Sequence, residues 1–189
     1  ITGQEKNIAR EIQIALKDAG VPQRHIRFDD AHEHIPLPTQ TGNLLAFLPG
    51  TSDAPRIMFM THMDTVPLCA GAVPVLKGNK IIPQGETALG GDNRTGCAVL
   101  VNLATTLIKE KLPHPPITLL FTVREESGLF GARYLEPSIL QKPTMAFNVD
   151  GRSASDITLG AVGADRWEVE IRGKASHAGV NPERGISAS

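Results

Sequence analysis

The segment TLLFTVREESG, residues 118–128, is an apolar run that closes on two adjacent glutamates and a glycine. The run is continuous rather than alternating, the pattern of a strand buried on both faces. Glu125 and Glu126 at its mouth are either a solvated surface turn or part of a site. The residues after the other buried strands decide between the two.

Two further runs have the same character, RIMFMT (56–61) and TMAFNV (144–149). HIRFDD (25–30) and NLLAFLPG (43–50) also read as strands, and VPVLKGNKII (73–82) reads as a hairpin turning at Gly78-Asn79. Ile8, Ile12, Ala15, Leu16 and Ala19 keep the helical period until Gly20 and Pro22 end it. A long helix is expected from Thr95 to Lys111 and a helical stretch around GLFGARYLEPSIL (128–140). Strands alternating with helices give an α/β fold: a mostly parallel mixed sheet with helices on both faces. After Gly160 the pattern changes to RWEVEIRG (166–173), an alternating strand with one wet face. The expected organisation is a catalytic domain over 1–162 and the start of a smaller α+β unit over 163–189. Ile1 is not an initiator, and NPERGISAS opens with the Asn-Pro of a helix start, so the expectation is a piece cut inside that second unit.

Bulk properties exclude several classes. Nineteen Lys and Arg against 20 Asp and Glu give a net charge of −1, which offers no pull toward nucleic acid or an anionic membrane. Aromatics at 4% argue against a base-stacking platform. No apolar run approaches the roughly 20 residues that span a bilayer. Two cysteines, Cys69 and Cys97, are too few for a disulfide framework, and a cytoplasmic location is the expectation.

Ligands of open α/β sheets bind beyond the carboxyl ends of the strands. RIMFMT is followed there by His62 and Asp64, the long helix is preceded by Asp92, TLLFTVR leads into Glu125 and Glu126, and TMAFNV into Asp150. Carboxylates crowded at one edge raise one another's pKa unless a cation compensates. One imidazole among several carboxylates suits zinc, with manganese or cobalt as related ions, and the number of anionic groups suits two ions sharing a carboxylate. Asp64 is placed to orient the His62 ring. Neighbours on an extended segment point to opposite sides, so one of the two glutamates can hold metal while the other faces the water of the reaction as a general base.

Together THMDTVP (61–67), GGDNRTG (90–96), TVREESGLFGA (122–132), NVDG (148–151) and GKASHAGVNPERG (173–185) resemble the co-catalytic zinc metallopeptidases. That family includes peptidase T, glutamate carboxypeptidase, aminoacylase and acetylornithine deacetylase, and the match is nearest to the peptidase T-like branch. The resemblance implies that His62, Asp92 and Asp150 hold one zinc and that Asp92 bridges to a second held by Glu126. Glu125 is then the general base, Asp64 orients His62, and the Asp92–Asn93 peptide bond is cis. It further implies a homodimer formed through the lid unit, with His177 reaching the partner's site to stabilise the oxyanion. The family's last histidine ligand has no counterpart here. The implied reaction is hydrolysis of a peptide; an N-acyl amino acid deacylase and a non-catalytic metal-binding or dimerisation module are the alternatives. His25, His32, His34 and His114 read as loop histidines, Cys97 as helix core and Cys69 as a reduced bystander.

Overall fold

The computed structural model describes residues 1–189 apart from 152, 164, 166 and 189. Two compact units are present, Ile1–Ala154 and Ser155–Ser189. The first is built on a five-stranded sheet in the order β1 (Ile26–Phe28), β2 (Leu44–Leu48), β6 (Ile117–Thr122), β3 (Ile57–His62), β7 (Met145–Asn148). β1, β2 and β6 pair antiparallel, whereas β6, β3 and β7 run parallel, so the parallel pairing lies in one half of a mixed sheet. The hairpin expected around Gly78-Asn79 forms a separate two-stranded ribbon, β4 (Pro74–Lys77) with β5 (Lys80–Pro83).

Each strand divides its side chains between two faces. Leu44, Ala46 and Leu48 of β2 and Ile117, Leu119 and Phe121 of β6 share one face with Ile57 and Phe59 of β3. Helices α1 (Lys6–Asp18) and α3 (Gly91–Lys109) cover it with Ala9, Ile12, Leu16, Leu100 and Ala104. On the opposite face Leu45, Phe47, Met58 and Leu120 pack with Leu135, which follows the short helix α4 (Phe130–Arg133), and with Ile139 and Leu140 of the 3-10 turn Pro137–Leu140. α3 lies close against β3 because Gly96 carries no Cβ; one there would meet the Thr61 hydroxyl and the Val149 carbonyl.

Several local expectations shift. A four-residue helix α2 (Ala31–His34) occupies a stretch without a helical pattern. Of the expected buried strand 144–149, β7 (Met145–Asn148) is exposed, with Phe147 40% accessible, while Val149 is half-buried and packs on the core. Among the described residues β7 has a hydrogen-bonded neighbour on one side only, β3. In the second unit, the described part of 166–173 forms no strand; the pairing found there is an isolated antiparallel bridge between Lys174 and Ile186. Asn181-Pro182 starts only a 3-10 turn, Pro182–Arg184.

Candidate metal centre

Parallel pairing brings the carboxyl ends of β3, β6 and β7 to one edge. His62 is level with Thr122 and Met60 with Asn148, so the segments after each strand emerge side by side. The amino end of α3 reaches the same edge through Gly90, whose left-handed backbone (φ 82°) turns the chain into the helix. Asp92 and Asn93 depart from helical geometry, and the bond between them is cis.

His62 ends β3 with only 2% of its side chain exposed. Its Nδ1 donates to the Asp64 carboxylate (3.2 Å) and lies 3.1 Å from the Asp64 carbonyl, which fixes the ring. Nε2 is left facing a ring of acids: Asp92 Oδ1 at 2.9 Å, Asp150 Oδ1 at 3.8 Å and Glu125 Oε2 at 3.9 Å. Donor atoms of His62, Asp92 and Glu126 all lie within 4.8 Å of one another. Burial by itself lowers the His62 pKa, but the hydrogen bond and charge of Asp64, then Asp150 and Glu125, outweigh it and raise it to about 9. Glu125, Glu126 and Asp150 are pushed upward, first by burial and then by one another's charge and that of nearby acids. A cation among these groups relieves both effects. The donor set therefore fits a divalent ion: an imidazole with its second nitrogen already committed, and carboxylates from three separate segments.

Asp64 does more than orient the imidazole. Fully buried, it accepts the backbone N–H of Glu125 (2.9 Å) and of Glu126 (3.2 Å) as well as His62 Nδ1. Its own burial favours the neutral acid, yet hydrogen bonds from His62, Glu125 and Thr2, with the His62 charge, hold its pKa below the usual carboxylate value. The expectation that Glu125 and Glu126 diverge because they continue an extended strand is not met. Arg124 adopts φ 51°, Gly128 and Leu129 donate back to the Glu125 carbonyl, and the segment is a turn. Both carboxylates consequently face the acidic ring, and strand alternation does not separate their roles.

Cys97 is buried in α3 as expected; its Sγ–H donates to the His62 carbonyl (3.2 Å), and burial pushes the thiol up to about 12. Cys69 stands outside the donor group. His114 binds the Pro115 carbonyl, and His34 faces Asp30. His177 is exposed in the second unit, where its Nδ1 accepts the Gly179 N–H.

Residues 43–183 match the profile of peptidase family M28. The chain belongs to that family. Among its relatives is the uncharacterized protein YqjE of Bacillus subtilis, 34% identical over 188 residues that make up 99% of this chain and 49% of that protein. Carboxypeptidase G2 of a Pseudomonas species is 34% identical over 140 residues, 70% of this chain and 32% of that one. The crystal structure of the aminopeptidase PepT from Bacillus cereus superposes with a TM-score of 0.72 at 32% identity, covering 99% of this chain and 49% of that one. The chain thus spans about half the length or less of these relatives. The family implies a divalent metal, which the donor set around His62 fits. Among the described residues, no helix is long and apolar enough to cross a membrane.

The motifs revealed the acidic ring but not what holds it. Asn43 is fully buried: it accepts the Val123 N–H (3.0 Å) and donates to Asp29 (2.6 Å) and the Gly131 carbonyl (2.9 Å), fixing the approach to the Glu125 turn. Glu5 is 1% exposed and accepts the Arg124 N–H. Neither stands at a strand's carboxyl end, and no spacing signals them.

Proposed function

We propose that this chain carries the metal-binding catalytic part of a dinuclear zinc peptidase of the peptidase T type. The observation supporting it most strongly is the convergence of His62, Asp92 and Glu126 within 4.8 Å, with Glu125 and Asp150 inside 4 Å of the same imidazole nitrogen. His62, Asp92 and Asp150 would hold one ion, and Asp92 with Glu126 a second; cobalt or manganese could substitute. Ions held there would supply Lewis acidity toward the scissile carbonyl and a bound water. Glu125 takes the proton from the attacking water and returns it to the leaving nitrogen. Glu125 Oε2 lies 3.9 Å from His62 Nε2, close enough to the metal donors to serve that exchange. Asp64 keeps the His62 ring oriented and holds the backbone of both glutamates.

On the resemblance, residues from 163 onward begin a lid through which two copies pair, and His177 of each copy serves the other's site. Two unpaired cysteines agree with a reducing cytoplasm. The substrate is a short peptide with a free terminus. N-acyl amino acids are the second substrate class, on the resemblance to the aminoacylases.

Zinc titration by calorimetry and an assay of the zinc-loaded natural gene product against tripeptides and N-acyl amino acids test this reading. Hydrolysis that a chelator abolishes and zinc restores is expected, with tripeptides preferred; zinc uptake without turnover of either class overturns it. In the 189-residue chain the first ion has three protein ligands and the second only Glu126 and a shared Asp92. That chain is expected to bind about one zinc tightly and the second weakly, and to hydrolyse no peptide at a useful rate.

A further inference from the structure

The N-terminal residues Thr2, Gly3 and Glu5 lie against the turn that carries Glu125 and Glu126. Glu5 Oε1 accepts the Gly3 N–H (2.7 Å) and the Arg124 N–H (3.2 Å). The Arg124 guanidinium, 8% exposed, donates from Nε to Thr39 Oγ1 (2.7 Å), from Nη2 to the Pro38 carbonyl (2.5 Å) and from Nη1 to Ser127 Oγ (3.2 Å). Gly3 packs on that guanidinium so closely that a Cβ would overlap it. Ser127 Oγ is 2.9 Å from Thr2 Oγ1, and the Thr2 N–H donates to the carbonyl of Thr65, next to Asp64 (2.9 Å).

Arginine only donates, so Arg124 donates to Ser127 Oγ, and the Ser127 hydroxyl is hydrogen-bonded to that of Thr2. Asp64 accepts the Glu125 and Glu126 N–H groups, and Glu5 the Arg124 N–H, so residues 124–127 are held from several sides. These contacts join Thr2 and Glu5 to a segment about 120 positions away, and Glu5, Asp64 and Arg124 are buried.

We infer that Arg124, Ser127 and the strap Thr2–Glu5 are positioning residues, holding the Glu125-Glu126 turn at the distance from His62 that metal binding and proton transfer require. The inference rests on the metal-site reading above. It predicts that the strap sets metal affinity and ligand geometry without any of its side chains touching the ion. Losing a hydrogen-bond partner that orients a ligand typically weakens metal binding about 10- to 100-fold.

The test is cobalt binding to the full chain, followed by its visible absorption bands, which report coordination geometry, with far-UV circular dichroism as the control for folding. Arg124→Met is expected to bind cobalt about 10- to 100-fold more weakly and with altered bands. Arg124→Lys does not rescue it, because one ammonium cannot reach three acceptors. Ser127→Ala, a milder change that keeps the fold, shifts the bands in the same direction, and Ser127→Thr restores them. Leu16→Ala, a core cavity far along α1, lowers stability yet leaves the bands as in the wild type. Folded Ser127→Ala and Arg124 variants with wild-type bands and affinity overturn the inference alone, provided that His62→Ala abolishes binding. Bands that Leu16→Ala alters as much as Ser127→Ala also overturn it, since the effect is then general destabilisation. A wild-type chain without cobalt bands, or one that His62→Ala leaves unaffected, overturns the metal-site reading and this inference with it.

Discussion

β6 and β7 lie on either side of β3, run parallel to it and both lead into acidic residues, yet they stand at opposite extremes of burial. All six residues of β6 are buried, and all four of β7 are exposed. The turn after β6 is held at both glutamate N–H groups by Asp64, and the chain before it by Glu5 and Asn43. Asp150, after β7, follows a Val149 N–H bonded to the Met60 carbonyl and keeps about a quarter of its side chain in solvent. Two strands of like composition thus differ in burial, because burial comes from the neighbours a strand acquires and not from its own apolar content.

Core truncation should separate the strands most sharply. Phe121→Ala is expected to cost about 3–5 kcal/mol, the usual range for a buried phenylalanine. Phe147 stacks on Phe59 from a half-open position, so Phe147→Ala should cost no more than about 1 kcal/mol. Urea unfolding of both variants measures the gap, and equal losses would break the comparison. Next in size are the carboxylates themselves. In an active gene product, Glu125→Ala is expected to lower turnover at least about 100-fold while zinc content stays near that of the wild type. Glu126→Ala should lose zinc as well. A Glu125→Ala protein that loses metal while Glu126→Ala keeps it would exchange their roles.

A pH effect arises from His62, which belongs to both sides of the comparison. Its folded pKa of about 9 lies above the ordinary 6.5, so in the metal-free chain its contribution to stability is fully present below about pH 6.5 and is lost as pH rises through about 9. The raised pKa values of Glu125, Glu126 and Asp150 act in the same direction, since the folded state binds protons more tightly there than the unfolded one. Metal-free stability should therefore decline between neutral and alkaline pH, as thermal melts across that range will show. Zinc takes the place of the Nε2 proton, so binding near pH 7.5 should release about one proton, seen by calorimetry in buffers of different ionisation enthalpy, and release should vanish above the His62 pKa.

The smallest effect concerns Glu5. Burial raises its pKa above 4.5, despite hydrogen bonds from Gly3 and Arg124, and its Oε2 is buried without a partner. A raised carboxyl loses stability as pH rises through its folded value. Glu5→Gln keeps an acceptor for the two N–H groups and removes the charge, so it should equal or slightly exceed the wild type in stability at pH 7, with the difference closing near pH 4. A clear loss at pH 7 would mean that the charge itself holds the β6 turn.

Residue types and their order were enough to mark the acidic edge. His62, Asp64, Asp92, Glu125, Glu126 and Asp150 each follow or precede a legible element, and the rule that α/β sheets bind ligands at the carboxyl ends of their strands needs only local patterns. Periodicity likewise located α1, α3 and the strands of the sheet, because apolar spacing reflects a local backbone repeat. The exposure of β7, the turn that brings both glutamates to one side, and the strap that ties Glu5 and Thr2 to Arg124 and Ser127 were decided by tertiary structure alone. Each depends on partners far apart in the chain, 119 residues for Glu5 and Arg124. A buried carboxylate and a solvated one are the same letter until the fold removes water from one of them.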